Sequence, residues 1–300
     1  MRSFNLLRYD LKKNERTARI EGLSVLLLSI FYYIFFYMDT LHCFWRTPTI
    51  KENMKILAQQ NVSMTDSFLY LTGGMLPMQD LSEAADVQYP VKWLVIQLLI
   101  LFFTAEFARE DISGGGLQIL TRVHKQGQWW LSKCIWNLIT VCQAYVILFL
   151  TWMICSLLTG LGFRGTINDL CFQGVFNTSP AVGEISAGQA VLIFIILPIF
   201  TTGAISLVQM TLTLFVRPVM AYLISAIYSI LGIFAASPAF LINYAMSTRS
   251  RACGLYRFSP GTGLCLCVIL MACAFVIGNM RLMTMDIINL PHMEKERSWL

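Results

Sequence analysis

Long apolar blocks alternate with shorter polar segments along the chain, and six blocks approach the length of a membrane-crossing helix. Such a helix needs about 20 consecutive apolar residues. Continuous runs such as AVLIFIILPIF, at residues 190–200, lack the alternation of a barrel strand, and backbone groups in hydrocarbon must be hydrogen-bonded within each segment. The pattern predicts an all-α integral membrane protein with six transmembrane helices. The predicted spans are Leu23–Met38, Val91–Ala108, Leu131–Thr159, Ala190–Val216, Val219–Ile242 and Leu264–Met280.

The overall composition agrees with this class of protein. Hydrophobic residues make up 56% of the 300 residues and charged residues only 13%, whereas an average soluble domain has about 25% charged residues. Two prolines also shape the predicted spans. Pro198 lies within the fourth span, where a proline removes a helical hydrogen bond and predicts a kink. Pro238 is expected to end or bend the fifth span near its outer end.

The distribution of basic residues predicts the orientation of the chain. If the N-terminus is cytoplasmic, fourteen of the 22 Lys and Arg residues lie on the inner side, as the positive-inside rule requires. We therefore expect both termini to be cytoplasmic, in the plasma membrane of a bacterium, without a cleaved signal peptide. The transmembrane domain would cover 23–280 and the cytoplasmic tail 281–300. External loops would cover 40–90, 160–188 and 243–262, and the arginine-rich 249–257 is the exception to the charge rule.

Residues 1–22 are predicted to form a short basic amphipathic helix, the elbow. Phe4, Leu7 and Leu11 recur at helical spacing, and the opposite face carries basic residues such as Arg8 and Lys12. Such a helix lies on an anionic inner leaflet. It is either an ordinary membrane anchor or an element with a mechanical role.

Motifs for catalysis are weak. The three histidines, His42, His124 and His292, are far apart in sequence, and no pair has metal-ligand spacing. The glycine run 114–116 is not followed by the Lys-Ser/Thr of a phosphate-binding loop. We therefore expect neither an enzyme nor a bound cofactor or metal in this chain. The external cysteines would allow one disulfide among three candidates, Cys43, Cys171 and Cys253.

The polar residues inside the predicted spans are mostly uncharged amides. They either line a pathway for an amphiphilic substrate or form hydrogen bonds between neighbouring helices. These candidate pathway-lining residues are Gln97, Asn137, Gln143 and Gln209.

A charged segment, Glu106–Lys133, separates the second and third spans on the predicted cytoplasmic side. It runs from an acidic part through glycines to the amphipathic LQILTRVHK, and it re-enters the membrane at Trp129 and Trp130. A helix this short gains stability by docking on another protein. The alternative is a solvated connecting loop with ordinary interfacial tryptophans.

The stretch EFAREDISGGGLQILTRVHKQGQWWLSKCIW resembles the cytoplasmic loop of type-2, exporter-like permease subunits of ATP-binding-cassette (ABC) transporters. The six spans, the N-terminal elbow and the long first external loop are similar to that family as well, so the resemblance covers the whole chain. The arginine-rich segment 249–257 departs from the re-entrant external hairpin of the family.

The resemblance implies a permease that moves a peptide, lipid-like or other amphiphilic substrate, with export expected. Two separate ATPase subunits would bind ATP and Mg²⁺, and a second permease subunit, identical or different, would complete the pathway. No nucleic-acid partner is expected. The resemblance implies that the coupling loop 106–133 contacts the ATPase through Glu106, Arg109, Glu110, Asp111, Gly115, Leu117, Leu120 and Arg122.

Two other classes of function compete with this one. A stand-alone carrier or channel would need charged residues within the membrane or an inverted repeat. A membrane-embedded enzyme would need clustered acidic or basic groups at one face, for which Asp80, Glu83 and Asp86 are the candidates.

Overall fold

A computed structural model describes residues 2–46, 62–74, 91–105, 107, 126–169, 171–172, 184–251 and 258–284. Within these ranges the chain forms helices and no β-sheet. The helices are α1 (Arg2–Lys13), α2 (Glu15–Arg46), α3 (Met64–Thr72), α4 (Val91–Ala105), α5 (Gln126–Leu158), α6 (Ala187–Leu212), α7 (Pro218–Phe234), α8 (Ile242–Ala245) and α9 (Pro260–Thr284).

Four helices are long and apolar enough to cross a membrane: Glu15–Thr40 within α2, and the whole of α5, α6 and α9. The prediction of an all-helical protein with membrane-spanning helices is confirmed to this extent. Two shorter apolar helices, α4 and α7, coincide with the second and fifth predicted spans.

The longest described helix, α5, organises the bundle. We call the end at residues 126–137 the base and the end at residues 149–158 the top. The 23 residues from Trp130 to Trp152 rise about 33 Å in an α-helix, close to the thickness of a bilayer core. Trp152 lies in an aromatic cluster at the top with Tyr33 and Phe149, whereas Trp130 packs in a separate cluster at the base.

Helix α2 runs beside α5 in the same direction. Near the base, the Gln143 side chain donates a hydrogen bond to the Ala18 carbonyl. Further up, Ser29 donates to the Leu148 carbonyl, and the Tyr33 ring lies 5.1 Å from the Trp152 ring, measured between centroids. Because such contacts recur along both helices, α2 packs on α5 over most of its length.

Pro198 produces a local change of helix type in α6. The five residues Leu192–Ile196 form a π-helical turn, in which the Leu197 amide donates to the Leu192 carbonyl. Proline has no amide hydrogen, and its ring clashes with the carbonyl four residues earlier. A wider turn accommodates that carbonyl, so the predicted distortion takes the form of a π turn.

The fifth predicted span was too long. We expected it to continue to Ile242, but α7 ends at Phe234 and Ala235 is extended. Ser237 precedes a proline, and that position disfavours the helical conformation. The chain then turns, and the segment Leu241–Ser250 is buried at the top rather than continuing the span or forming an exposed loop.

The first external segment contains a buried helix. Residues 47–61 of this segment lie outside the described part of the chain. Helix α3 follows that stretch, and all nine of its residues are buried. Ser63 and Asp66 form a reciprocal capping box at its start, and Asp66 also accepts a hydrogen bond from the Asn168 amide at 2.8 Å. The first two loops that the sequence predicts to be external are therefore joined at the top.

Candidate coupling site

The predicted coupling residues themselves lie outside the described part of the chain: Glu106, Arg109, Glu110, Asp111, Gly115, Leu117, Leu120 and Arg122. The structure describes the two flanks of this segment, Phe107 and the start of α5. The acidic trio Asp80, Glu83 and Asp86 also lies outside the described residues, as do the side chain of Cys43 and the whole of Cys253.

The two flanks of the coupling segment meet at the base. The Phe107 ring packs on Trp136 with 3.5 Å between ring centroids. The Lys133 ammonium lies 4.5 Å from the Phe107 ring centroid and 5.0 Å from that of Trp129. A cation over an aromatic face is attracted by the ring quadrupole, so Lys133 holds Phe107, which follows α4, against the beginning of α5.

Lys133 also connects these flanks to the N-terminal helix. Its Nζ atom lies 2.6 Å from Oδ1 of Asp10 in α1, and Ser132 donates to Oδ2 of the same carboxylate at 2.7 Å. The side chains of Lys133 and Asp10 are only 1% and 4% exposed. Helix α1 is therefore attached to α5 through a buried ion pair.

Sequence reasoning missed Asp10, because it treated the N-terminal segment as a basic amphipathic helix. A signal was present: Asp10 is the one acidic residue among the first fourteen. A carboxylate in a basic, amphipathic segment indicates a specific partner, but the sequence alone does not identify Lys133 as that partner.

Three of the four predicted pathway amides lie together among α4, α5 and α6, fully buried. Oε1 of Gln97 accepts hydrogen bonds from Thr202 at 2.7 Å and from Tyr145 at 3.3 Å. Two further hydroxyls extend this polar interior towards the base, where Ser206 donates to Thr104 at 2.8 Å and to the Asn137 carbonyl oxygen at 3.0 Å.

The amides keep unused hydrogen-bonding capacity. Gln209 donates to the Leu101 carbonyl at 2.7 Å. Among the described residues, however, Nε2 of Gln97, Nδ2 of Asn137 and Oε1 of Gln209 have no hydrogen-bond partner. The fourth amide, Gln143, lies apart from these three at the contact between α2 and α5. The polar interior therefore joins neighbouring helices and still presents free donors and an acceptor.

A second residue that sequence reasoning missed is Glu21 in α2. It is 1% exposed, and neither carboxylate oxygen has a hydrogen-bond partner among the described residues. The predicted first span began at Leu23, but the helix already begins at Glu15. Because the predicted span began two residues after Glu21, this residue was not counted among the charged residues within the membrane.

The arginine-rich segment that broke the charge rule contains a buried residue with a structural role. Arg249 is 0% exposed. Its guanidinium donates to the carbonyl oxygens of Gly232 and Ile233 at the end of α7, and to the Asn243 side chain. The last carbonyls of a helix lack partners and carry partial negative charge. Arg249 therefore caps α7 instead of lying in an exposed loop.

Two acidic residues at the top also bind defined partners. Asp39 at the end of the first span accepts hydrogen bonds from Tyr70 and from Lys92, the latter at 3.3 Å. Burial raises the pKa of Asp66, although hydrogen bonds from Asn168 and Ser63 oppose this rise. Among the described residues, no three His, Cys, Asp or Glu side chains gather in the manner of a metal site.

An all-helical bundle with four membrane-length helices, and with charged and amide groups turned to its interior, defines a helical membrane protein. The chain belongs to the DUF2705 family, described as a protein of unknown function, which matches residues 52–288. This match includes the coupling segment and α3 to α9, and it begins after α1 and α2. No curated protein and no solved structure matches the chain.

Proposed function

We propose that the chain is the membrane-spanning permease subunit of an ABC transporter. It lacks ATPase motifs of its own, is not an enzyme, and works with separate ATPase subunits that bind ATP and Mg²⁺. It pairs with a second permease subunit and moves an amphiphilic substrate, such as a peptide or a lipid-like molecule, in the direction of export. The protein crosses a bacterial plasma membrane six times, both termini are cytoplasmic, and α1 is the elbow.

The observation that carries this proposal is the junction at the base. A segment that receives mechanical work must be joined firmly to the helices that it moves. Phe107 and Lys133 lie at the two ends of the coupling loop 106–133 and contact each other, and Lys133 also binds Asp10 of α1. A displacement of residues 108–125 would therefore act on three elements together: the second span, the third span and the elbow. A solvated connecting loop has no need of such a junction.

The directions of the apolar helices support six crossings. Lys92 at the start of α4 is at the top beside Asp39, while Thr104 near its end is at the base beside Ser206. Helices α2, α5 and α7 run from base to top, and α4, α6 and α9 run from top to base, as six consecutive crossings require. The described α4 and α7 have 15 and 17 residues, or about 22 and 26 Å. Local thinning of the bilayer accommodates such short spans.

Co-purification tests the proposal directly. The chain is co-expressed with a Walker A ATPase encoded by a neighbouring gene, and the ATPase retained on the tagged permease is measured. The double variant Leu117→Asp, Leu120→Asp should lose the ATPase while remaining inserted in the membrane. The control is Leu158→Asp, which makes the same type of substitution once, at a residue that is 81% exposed at the top. Undiminished retention by the double variant would contradict the proposal.

A stand-alone carrier is the second candidate function, and Glu21 is the observation that favours it. Ionisable groups buried within a membrane are typical of ion-coupled carriers. The test uses the purified chain alone in vesicles that contain a pH-sensitive dye, with an imposed pH gradient and no nucleotide. Proton flux above that of empty vesicles would support the carrier, and its absence together with ATPase retention would support the permease.

A further inference from the structure

Glu21 lies on the face of α2 that contacts α5. It shares this face with Val25 and Ser29, which follow at intervals of four residues, and all three are buried. Residues four apart lie above one another on a helix. Since Ser29 donates to the Leu148 carbonyl of α5, the same face of α2 directs Glu21 towards the helix interface and away from lipid.

Among the residues that the structure describes, no cation forms an ion pair with Glu21. At the adjacent Gly22, the position of a Cβ atom lies 3.0 Å from the Ile147 methyl carbon and 3.7 Å from Nε2 of Gln143. That amide nitrogen already donates to the Ala18 carbonyl. Beside Glu21, the part of α5 that lies against α2 thus presents an aliphatic carbon and an amide nitrogen.

The basic residues Arg8, Lys12 and Lys13 of α1 are exposed, and the other charged groups considered on the helices packed on α2 have partners of their own. At the base, Asp10 of α1 and Lys133 of α5 bind each other. At the top, Lys92 of α4 binds Asp39, and Asp66 of α3 binds Ser63. None of them forms an ion pair or a hydrogen bond with Glu21.

Other buried carboxylates in this protein are satisfied by their surroundings. Asp10 has an ammonium and a hydroxyl, and Asp66 has two backbone amides and a hydroxyl. An isolated carboxylate in such a site is unfavourable even after relaxation of the protein, and a buried group of this kind neutralises by binding a proton. Among the buried carboxylates that the structure describes, Glu21 is the one without a hydrogen-bond or ion-pair partner.

We propose that Glu21 is a proton-binding site, held as a neutral carboxylic acid between α2 and α5. A proton from the aqueous phase at the base adds to the carboxylate, and the neutral side chain then fits the apolar interface. Loss of this proton would leave a charge that water must reach, which requires α2 to separate from α5. Proton occupancy would thereby control the contact between the first and third spans, whichever transport mechanism the protein uses.

Infrared spectroscopy of the full chain in lipid nanodiscs at pH 7 tests this inference without an activity assay. A protonated carboxyl group absorbs at a higher carbonyl frequency than a carboxylate. The spectrum of wild type minus Glu21→Gln should contain a protonated-carboxyl band. The control Glu15→Gln removes an exposed glutamate that is paired with Arg19, and its difference spectrum should contain carboxylate bands alone.

Two results would overturn the inference. The first is a Glu21→Gln difference spectrum with carboxylate bands only, which would mean that Glu21 is ionised and paired with a cation. The second is a Glu21→Gln protein that does not fold while Glu15→Gln does. Glutamine has nearly the shape of the neutral acid and no charge, so folding must survive this change if Glu21 is protonated. Neither result depends on ATPase binding, so this inference and the permease proposal can fail separately.

Discussion

The ion pair between Asp10 and Lys133 provides the sharpest test of how α1 is held. The substitution Lys133→Met keeps most of the side-chain volume and removes the ammonium, which leaves the Asp10 carboxylate buried beside Ser132. Because the two side chains are 4% and 1% exposed, water cannot replace the lost partner. Breaking such a pair on one side costs about 3–5 kcal/mol.

The double variant should lose much less unfolding free energy than the two single variants lose together. Asp10→Leu with Lys133→Met replaces both charges by apolar groups, and replacing both members of a buried pair is often nearly neutral. The coupling energy of the cycle should therefore be at least about 3 kcal/mol, at the upper end of the range measured for residues in one network. The contribution of Lys133 to the Phe107 and Trp129 rings is lost in both backgrounds, so it cancels in the cycle.

Thermal unfolding in detergent, followed by tryptophan fluorescence, gives the required stabilities, since Trp129 and Trp130 lie next to the pair. The matched control is Lys12→Met, which removes a lysine from the exposed side of α1 and should leave the unfolding temperature unchanged. Additive effects of the two single substitutions would refute the reasoning, as would a Lys133→Met protein as stable as the control.

Two further predictions concern packing and capping. A Cβ atom at Gly278 would lie 2.2 Å from the Trp130 ring, so Gly278→Ala should reduce stability in thermal unfolding by about 1–3 kcal/mol. The control Gly188→Ala, whose Cβ atom would meet no atom within 4 Å, should not reduce it. Equal stability of the two variants would contradict the described helix contact. Arg249→Met should reduce the unfolding free energy by about 1–3 kcal/mol for each carbonyl left without a donor. The control is Arg251→Met, because Arg251 is exposed. The prediction fails if both arginine variants unfold like wild type.

The apolar helices were predictable from sequence because hydrocarbon imposes a simple rule of length and composition. The ends of these helices were harder to predict from the sequence. The fifth predicted span continued to Ile242 because the residues after Phe234 remain apolar, yet a proline and a buried return segment end the helix there. The burial of α3 was also unexpected, although the Ser63 and Asp66 capping pattern marks its start in the sequence.

The interior contacts required the structure. The importance of Asp10 and Lys133 comes from their proximity, although more than 120 positions separate them in the sequence, and no local pattern encodes such a pairing. Glu21 is missed for a different reason, since an acidic residue at the edge of an apolar run looks like a solvated flank. Its significance comes from the direction in which α2 presents it, which depends on how α2 packs on α5.

The π turn in α6 has a geometric consequence for the polar interior. A single additional residue in one turn offsets everything after it by about 100° around the helix axis. Within the turn, Phe194 packs in the cluster at the top, and after it Thr202 and Ser206 face α4 and α5. Deleting one residue from Leu192–Ile196 would therefore rotate these hydroxyls out of reach of Gln97 and Asn137, so the extra residue sets the angular alignment that the amide network requires.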